Sequence, residues 1–309
     1  MSETFIARLQ ELAKSARILA LVGASIKLRS NDSVDSAIRA QIEEGARMAL
    51  GEALDVADEE QLAFALTMIE MALSEAMELF RNPDRGSNWE VVDVPALQAA
   101  GRASKSVFTR IQSIAETRPR MRKTFSGTFL DVGTGVAGIA LEAARTCSDI
   151  RVDGIDIWEP ALELARQNVA ESPYANRVSV RNLDVSMLEE EKRYSLAWLP
   201  TMFLKRPIVE AALDRIARAS VADAYLVAAL YSRPNDPFLA LMASLRTLRS
   251  GGEISDPAEI RAMMEARGYV DVEMSATPVA TLSSEGVHKI CTEHYSSVSD
   301  SNRSVQCTA

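Results

Sequence analysis

Apolar positions recur along this chain with two different periods, and the change between them divides the sequence. In the first stretch, Phe5, Leu9, Leu12, Ala16 and Leu19 stand alternately four and three residues apart, which places them on one face of a helix. Ile38, Ile42, Ala46 and Leu50, four residues apart, continue a helical face over residues 36–54. Asp58, with Gln61 three residues on, has the form of a capping box. It opens a helix with Leu62, Leu66, Ile69, Leu73, Met77 and Phe80 on one stripe. Phe64, Met68 and Met71 fall off that stripe. A helix apolar on more than one side is covered on more than one side, either by neighbouring helices or by a second copy of the chain in a twofold dimer. The segment Asn82 to Asn88 contains Pro83 and Gly86 and breaks the pattern. Trp89 then leads into a further helix from about Pro95 to Ala115.

From about Thr128 the pattern becomes short apolar runs alternating with helices. It predicts strands at 128–132, 151–156, 177–183, 194–199 and 222–231. Helices fall near 137–146, 160–171, 207–219 and 237–249. Pro160, Pro207 and Pro237 sit where the first helical turn tolerates proline. Asp256-Pro257-Ala258-Glu259 opens one more helix with a cap, a proline and a capping glutamate. This alternation predicts an α/β fold with a doubly wound, mostly parallel sheet, preceded by an all-helical N-terminal domain. Two β-rich runs, 269–274 and 287–293, are expected to pair antiparallel at the sheet edge. The expected organisation is a helical lid or oligomerisation domain over 1–118, a cofactor-binding domain over 119–295, and a polar, disordered tail over 296–309.

Composition narrows the function. The chain has 309 residues and a formal net charge of −9. That disfavours a nucleic-acid binder, which needs a basic surface. Cys147, Cys291 and Cys307 are odd in number and lack metal-ligand spacing, as expected of free thiols in a reducing compartment. No apolar signal core opens the sequence, and no apolar run has the roughly 20 residues of a membrane span. A cytoplasmic protein without membrane association or a metal site is expected.

The candidate chemistry lies at the first strand–helix junction. Residues 129–138 read FLDVGTGVAG, a strand end and a helix start with glycines between. Glycine lets the backbone turn sharply and approach a ligand closely. Gly133, Gly135 and Gly138 also satisfy G-x-G-x-x-G, and Asp156 follows about 20 residues on, where an acid can take ribose hydroxyls. These features alone suit a dinucleotide almost as well as a methyl donor. Three others separate the two. Asp131 stands just before the glycines, where an anion repels pyrophosphate but suits an amino group. The third strand ends in Asn182-Leu183-Asp184-Val185, which offers a carboxylate and a backbone N–H to adenine. The late β-rich pair suits a sheet closed by an antiparallel strand.

On Asp131, Gly133, Gly135, Asp156 and Asp184, residues 125–294 resemble the class I S-adenosylmethionine-dependent methyltransferases. Trp89 to Ser104, with Leu97-Gln98 and Gly101-Arg102-Ala103-Ser104, looks like the helical lid of small-molecule members. The resemblance implies S-adenosylmethionine as cofactor. It implies that Asp131, Gly133, Thr134 and Gly135 hold the methionine part, that Asp156 binds the ribose, that Ile157 or Trp158 packs on adenine, and that Asp184, Val185 and Leu199 complete the site. For Asp156 the ribose role is preferred to the alternative of capping the next helix.

Ligands of parallel α/β sheets lie beyond the carboxyl ends of the strands. The acceptor site should therefore draw on Leu199-Pro200-Thr201-Met202-Phe203 and on Tyr231 to Asp236. The first segment is apolar and lacks the Asn/Asp-Pro-Pro-Tyr/Phe pattern of nucleobase and amide methyltransferases. Trp89, Arg102, Met202, Phe203 and Tyr231 are the candidate substrate contacts, for a small apolar or aromatic metabolite of secondary metabolism. Methyl transfer from a sulfonium gains mainly from alignment, worth ~7–11 kcal/mol at best. Neither loop holds a histidine, so no catalytic base is named; His288 and His294 lie in the late β-rich region. Two other readings stay open: an NAD(P)-dependent oxidoreductase using the same glycines, and a non-catalytic cofactor-binding scaffold.

Overall fold

The computed structural model describes residues 3–30, 33–87, 93–230, 236–275 and 284–290. The chain divides into two compact units, Met1–Arg85 and Gly86–Ala309.

The first unit is helical. It contains α1 (Glu3–Leu28), α2 (Ser36–Leu50), the single turn α3 (Ala53–Val56) and α4 (Glu59–Arg81). Asp35 caps α2 by accepting from the N–H groups of Ala37 and Ile38. The capping box of α4 forms as the sequence predicts, with Asp58 and Gln61 serving each other's backbone N–H groups. Each cap satisfies donors that the first helical turn leaves open. The core is small: Val22, Ile26, Ala46, Leu54 and Ile69. Ile69, from the predicted stripe of α4, is buried there, whereas Phe64, Met68, Met71 and Met77 stay exposed and Phe80 is 80% exposed.

The second unit begins with α5 (Val94–Glu116) and α6 (Pro119–Arg122). The helix α5 thus belongs with the sheet, and the division falls after Arg85 rather than at 118. The reason is visible in its composition. The buried residues Phe108, Ile111, Ile114 and Ala115 give α5 an apolar face that packs into the core of the sheet domain.

The elements that follow are β1 (Thr128–Val132), α7 (Gly138–Thr146), β2 (Arg151–Asp156), α8 (Glu159–Glu171), β3 (Val178–Asn182), β4 (Tyr194–Pro200), α9 (Arg206–Ala219), β5 (Ser220–Leu230), α10 (Pro237–Arg249), α11 (Pro257–Glu265), β6 (Tyr269–Ser275) and β7 (Ser284–Ile290). They form one seven-stranded sheet in the order β3-β2-β1-β4-β5-β7-β6. The first five strands of that order are parallel; β7 runs antiparallel to both β5 and β6. The late hairpin therefore pairs at the edge as expected, with its second strand lying innermost.

Strand alternation sorts side chains onto the two faces. Phe129, Val152, Leu196 and Trp198 join the core shared with α5 and α7. Leu130, Ile155, Ala197 and Leu199 join the core shared with α9 and α11. Both faces are covered, which is what a parallel sheet requires. The order of strands reverses at β1, with β2 on one side and β4 on the other. A crevice opens beyond the carboxyl ends at such a switch point. Asp131, Asp156, Asn182 and Pro200 all stand at that end. No helix among the described residues is long and apolar enough to cross a membrane.

Candidate functional site

The junction after β1 is a tight turn stitched to the end of β2. Gly133 and Gly135 have φ of 69° and 55°, a region that costs glycine nothing. A side chain at Gly135 would meet no atom within 4 Å, so the space over this turn is open. The N–H groups of Gly133 and Thr134 both donate to the Ile155 carbonyl, at 2.8 and 3.1 Å. Gly135 N–H donates to Asp156 Oδ2 at 2.8 Å, and Ala137 N–H donates to the Thr134 carbonyl at 2.9 Å. These four donors are spent within the protein. A pyrophosphate-binding loop needs such donors aimed at its ligand. The dinucleotide reading loses its main support here.

Asp131 is fully buried at the base of the turn. Its Oδ2 accepts from the Thr134 hydroxyl at 2.8 Å, while its Oδ1 has no hydrogen-bond partner among the described residues. Burial pushes its carboxyl up to about 7, against the pull of the Thr134 hydroxyl and, more weakly, of the nearby Ala140 N–H, which falls short of a formed hydrogen bond, and with a further push from the charge of Asp156. Asp156 is also raised by burial, opposed by the N–H groups of Trp158, Gly135 and Ile157. A buried carboxylate oxygen without a donor is costly. A cationic ligand group placed against it would remove that cost, and a phosphate would raise it. An aminoacyl sulfonium fits this site on charge, and the open space above Gly135 gives it access.

The remaining predicted residues are placed as follows. Asp156 does not cap α8, whose first turn lacks a side-chain cap. Its Oδ1 instead accepts from Trp158 N–H at 2.9 Å, fixing the bend after β2. Ile157 is 67% exposed beside it, whereas Trp158 packs against Leu97, Val136 and Ala161. Of the two, Ile157 presents a free apolar surface. Asp184 uses one oxygen, Oδ1, for the backbone N–H and hydroxyl of Ser186. Val185 and Leu199 bury their side chains in the sheet core, so only their backbones are left to meet a ligand. Arg102 is exposed on α5. Met202 is half-buried and, with Thr201, Leu230, Ala243, Ser244 and Thr247, lines a small cavity of about 20 Å³ beyond β4 and β5. Phe203 is half-buried next to it. Trp89, Tyr231 and His294 lie outside the described residues, as do Cys291, Cys307 and the segment 296–309; His288 is described only as a backbone position in β7.

The structure adds residues that motif reading passes over. Gly154, in the middle of β2, has no room for a Cβ: it would stand 2.6 Å from Thr134 Oγ1. That glycine seats Thr134 against Asp131. A glycine inside a strand does signal close approach, so the sequence held this clue. Asn168 donates to the Val136 carbonyl at 2.9 Å and pairs with Gln98, and nothing in the pattern pointed to it.

A family model described as "Methyltransferase domain" matches residues 129–222, the segment that holds this turn and both acids. That segment is similar to methyltransferase domains. Among curated proteins, a ubiquinone/menaquinone biosynthesis C-methyltransferase of Geotalea daltonii is 46% identical over 57 residues, 18% of this chain and 24% of that protein. A tRNA1(Val) (adenine(37)-N6)-methyltransferase of Vibrio campbellii is 37% identical over 65 residues, 21% of this chain and 27% of that protein. These matches span about a quarter of each relative. Among solved structures, an O-methyltransferase family protein from Burkholderia thailandensis superposes with a TM-score of 0.62 at 13% identity, covering 95% of this chain and 99% of that one. Human N-acetylserotonin methyltransferase in complex with its methyl donor gives 0.54 at 14% identity, covering 94% and 99%. The methyltransferase fold, with helices ahead of its sheet, is therefore shared over nearly the whole chain.

Proposed function

We propose that the protein methylates a small apolar or aromatic metabolite of secondary metabolism, most readily on oxygen. When bound, S-adenosylmethionine supplies an electrophilic methyl group. The chain's own residues have to hold it and exclude water. Asp131 receives the cationic amino acid end, Asp156 the ribose hydroxyls, Ile157 one face of adenine, and Asp184 with the Val185 N–H its edge. The observation that carries this assignment is the buried, donor-less Oδ1 of Asp131.

The acceptor would lie over the segment Leu199–Phe203, whose members Met202 and Phe203 bring apolar surface to the carboxyl ends of β4 and β5. Trp89, Arg102 and Tyr231 remain candidates for the same pocket. Similarity over nearly the full chain to proteins of the O-methyltransferase type supports an oxygen acceptor. The short tRNA-methyltransferase match supports nucleic acid less well, because it is confined to about a fifth of the chain and the net charge is −9. Neither acceptor loop contains a histidine, which favours groups that ionise readily, such as carboxylic acids and acidic phenols, over alcohols. The exposed apolar residues of α4 favour a homodimer, and an odd number of scattered cysteines favours the cytoplasm.

The test is transfer of labelled methyl from S-adenosylmethionine to a panel of phenols, carboxylic acids, amines and bulk tRNA. Label on a phenol or acid supports the proposal. Label on tRNA alone refutes the acceptor class.

A further inference from the structure

The least explained part of the cofactor turn is its second half. Ala137 has φ 68°, a left-handed conformation in a residue with a Cβ, which costs roughly 1–2 kcal/mol. Something must hold the peptide before it. The Val136 carbonyl accepts from Asn168 Nδ2 at 2.9 Å. The same Nδ2 donates to Gln98 Oε1 at 3.2 Å, and Gln98 Nε2 donates back to Asn168 Oδ1 at 3.1 Å. Every polar atom of the Asn168 amide is thereby used, with α5 on one side and the turn on the other.

The packing around this pair leaves no slack. A Cβ on Gly101 of α5 would stand 2.1 Å from Val136 Cγ2, and one on Gly138 would stand 2.1 Å from the Gly101 carbonyl. Leu97, one residue before Gln98, is buried against Val136 and Ala161. Val136 is therefore held by its carbonyl and by its side chain, and both grips run through α5 or α8. The turn cannot change shape while α5 stays docked in this register.

We infer that Asn168 is a positioning residue for the cofactor turn, and that its amide pair with Gln98 couples the ordering of that turn to the docking of α5. The role rests on the turn being the cofactor's seat. Cofactor binding then tightens α5 at a distance from the ligand, and loosening α5 weakens the cofactor. Such coupling is reciprocal by necessity.

The test combines binding of S-adenosylhomocysteine with amide hydrogen exchange on the full-length chain. In the wild type, the ligand should slow exchange in the turn and also in residues 97–101. Asn168→Leu, which fills the site but cannot donate, should bind about tenfold more weakly, as expected for one lost hydrogen bond. It should also abolish the ligand-dependent slowing in α5. Gln98→Ala keeps the bond to Val136; it should weaken binding by only about two- to threefold, yet still uncouple α5. It also carries the test if Asn168→Leu fails to fold. Wild-type affinity and wild-type exchange in both variants would overturn the inference. If the wild type did not bind S-adenosylhomocysteine, the cofactor assignment would fall instead. Faster exchange at residues 136–138 in ligand-free Asn168→Leu would then still support the positioning role, and unchanged exchange would refute it.

Discussion

Two buried carboxylates stand on neighbouring strands of this sheet and are handled in opposite ways. Asp153, in β2, is 2% exposed and surrounded by donors. Tyr194 donates its hydroxyl to it at 2.6 Å, Arg181 donates from Nη2 at 2.9 Å, Ser179 donates at 3.1 Å, and Arg193 reaches it at 3.4 Å. Burial and the Asp153 charge push the Tyr194 phenol up, so it stays a donor. Asp131, in β1, has one hydroxyl partner, an orphaned oxygen, and another acid as a charged neighbour. The first acid is neutralised by its own chain. The second is left short of positive charge at the carboxyl end of the strands, where ligands of such sheets lie. Paired acids serve the fold; an unpaired one in a crevice marks a site.

That contrast can be broken at several points. The largest effect is expected from Asp156→Ala. Losing its bonds to the Gly135 and Trp158 N–H groups should unfasten the turn and abolish cofactor binding in calorimetry, with the fold retained by circular dichroism. Asp131→Asn should weaken S-adenosylhomocysteine by about 100-fold, in the range for removing one partner of a buried charged contact, without lowering the thermal midpoint. Asp153→Asn should show the reverse. Denaturant titration should register a loss of roughly 3 kcal/mol, the low end for a broken buried ion pair because the two guanidinium groups reach water. The affinity of the folded fraction should not change. Equal effects of Asp131→Asn and Asp153→Asn on binding would erase the distinction between them.

The pH dependence sharpens it further. The folded chain holds a proton on Asp131 up to about 7, far above the ordinary carboxyl value of 3.8. Between these values the folded state binds more protons than the unfolded state, so this group's contribution to stability falls as pH rises. The contribution is complete below about 3.8 and lost as pH passes through about 7. Comparing unfolding midpoints of the wild type and Asp131→Asn from pH 5 to 8 should show a steeper fall in the wild type; Asp156, also raised by burial, contributes to both. Affinity for a cationic ligand should run the other way, rising to a plateau above neutrality. The smallest effect is expected from Ile157→Ser, whose side chain is largely exposed: stability within about 0.5 kcal/mol of wild type, and cofactor affinity reduced a few-fold in the same titration.

Much of this was legible in the sequence. Parallel strands buried on both faces read as compact apolar runs, and the first four predicted strands match those observed to within a residue at each end. Proline and capping signals placed α8, α9, α10 and α11 for the same local reasons. What the pattern could not show was partnership across distance. The helix α5 has the period of its N-terminal neighbours, yet Gly101 and Phe108 commit it to the sheet domain. Leu199 stands at a strand end and Val185 in the turn just beyond one, where ligands lie, but the fold turns both side chains into the core. The glycines alone could not distinguish two cofactors, because the distinction lies in where the loop's N–H groups point. Asn168 carries no motif; only the fold brings it to the Val136 carbonyl.

The most direct test of the account is calorimetric titration of the wild-type chain with S-adenosylhomocysteine and with NAD, at pH 6 and pH 8, in buffers of different ionisation heat. If the bare oxygen of Asp131 is the seat of a cation, S-adenosylhomocysteine binds with release of close to one proton at pH 6 and much less at pH 8, and NAD does not bind. Binding of NAD, or S-adenosylhomocysteine binding with no proton released at either pH, would contradict it.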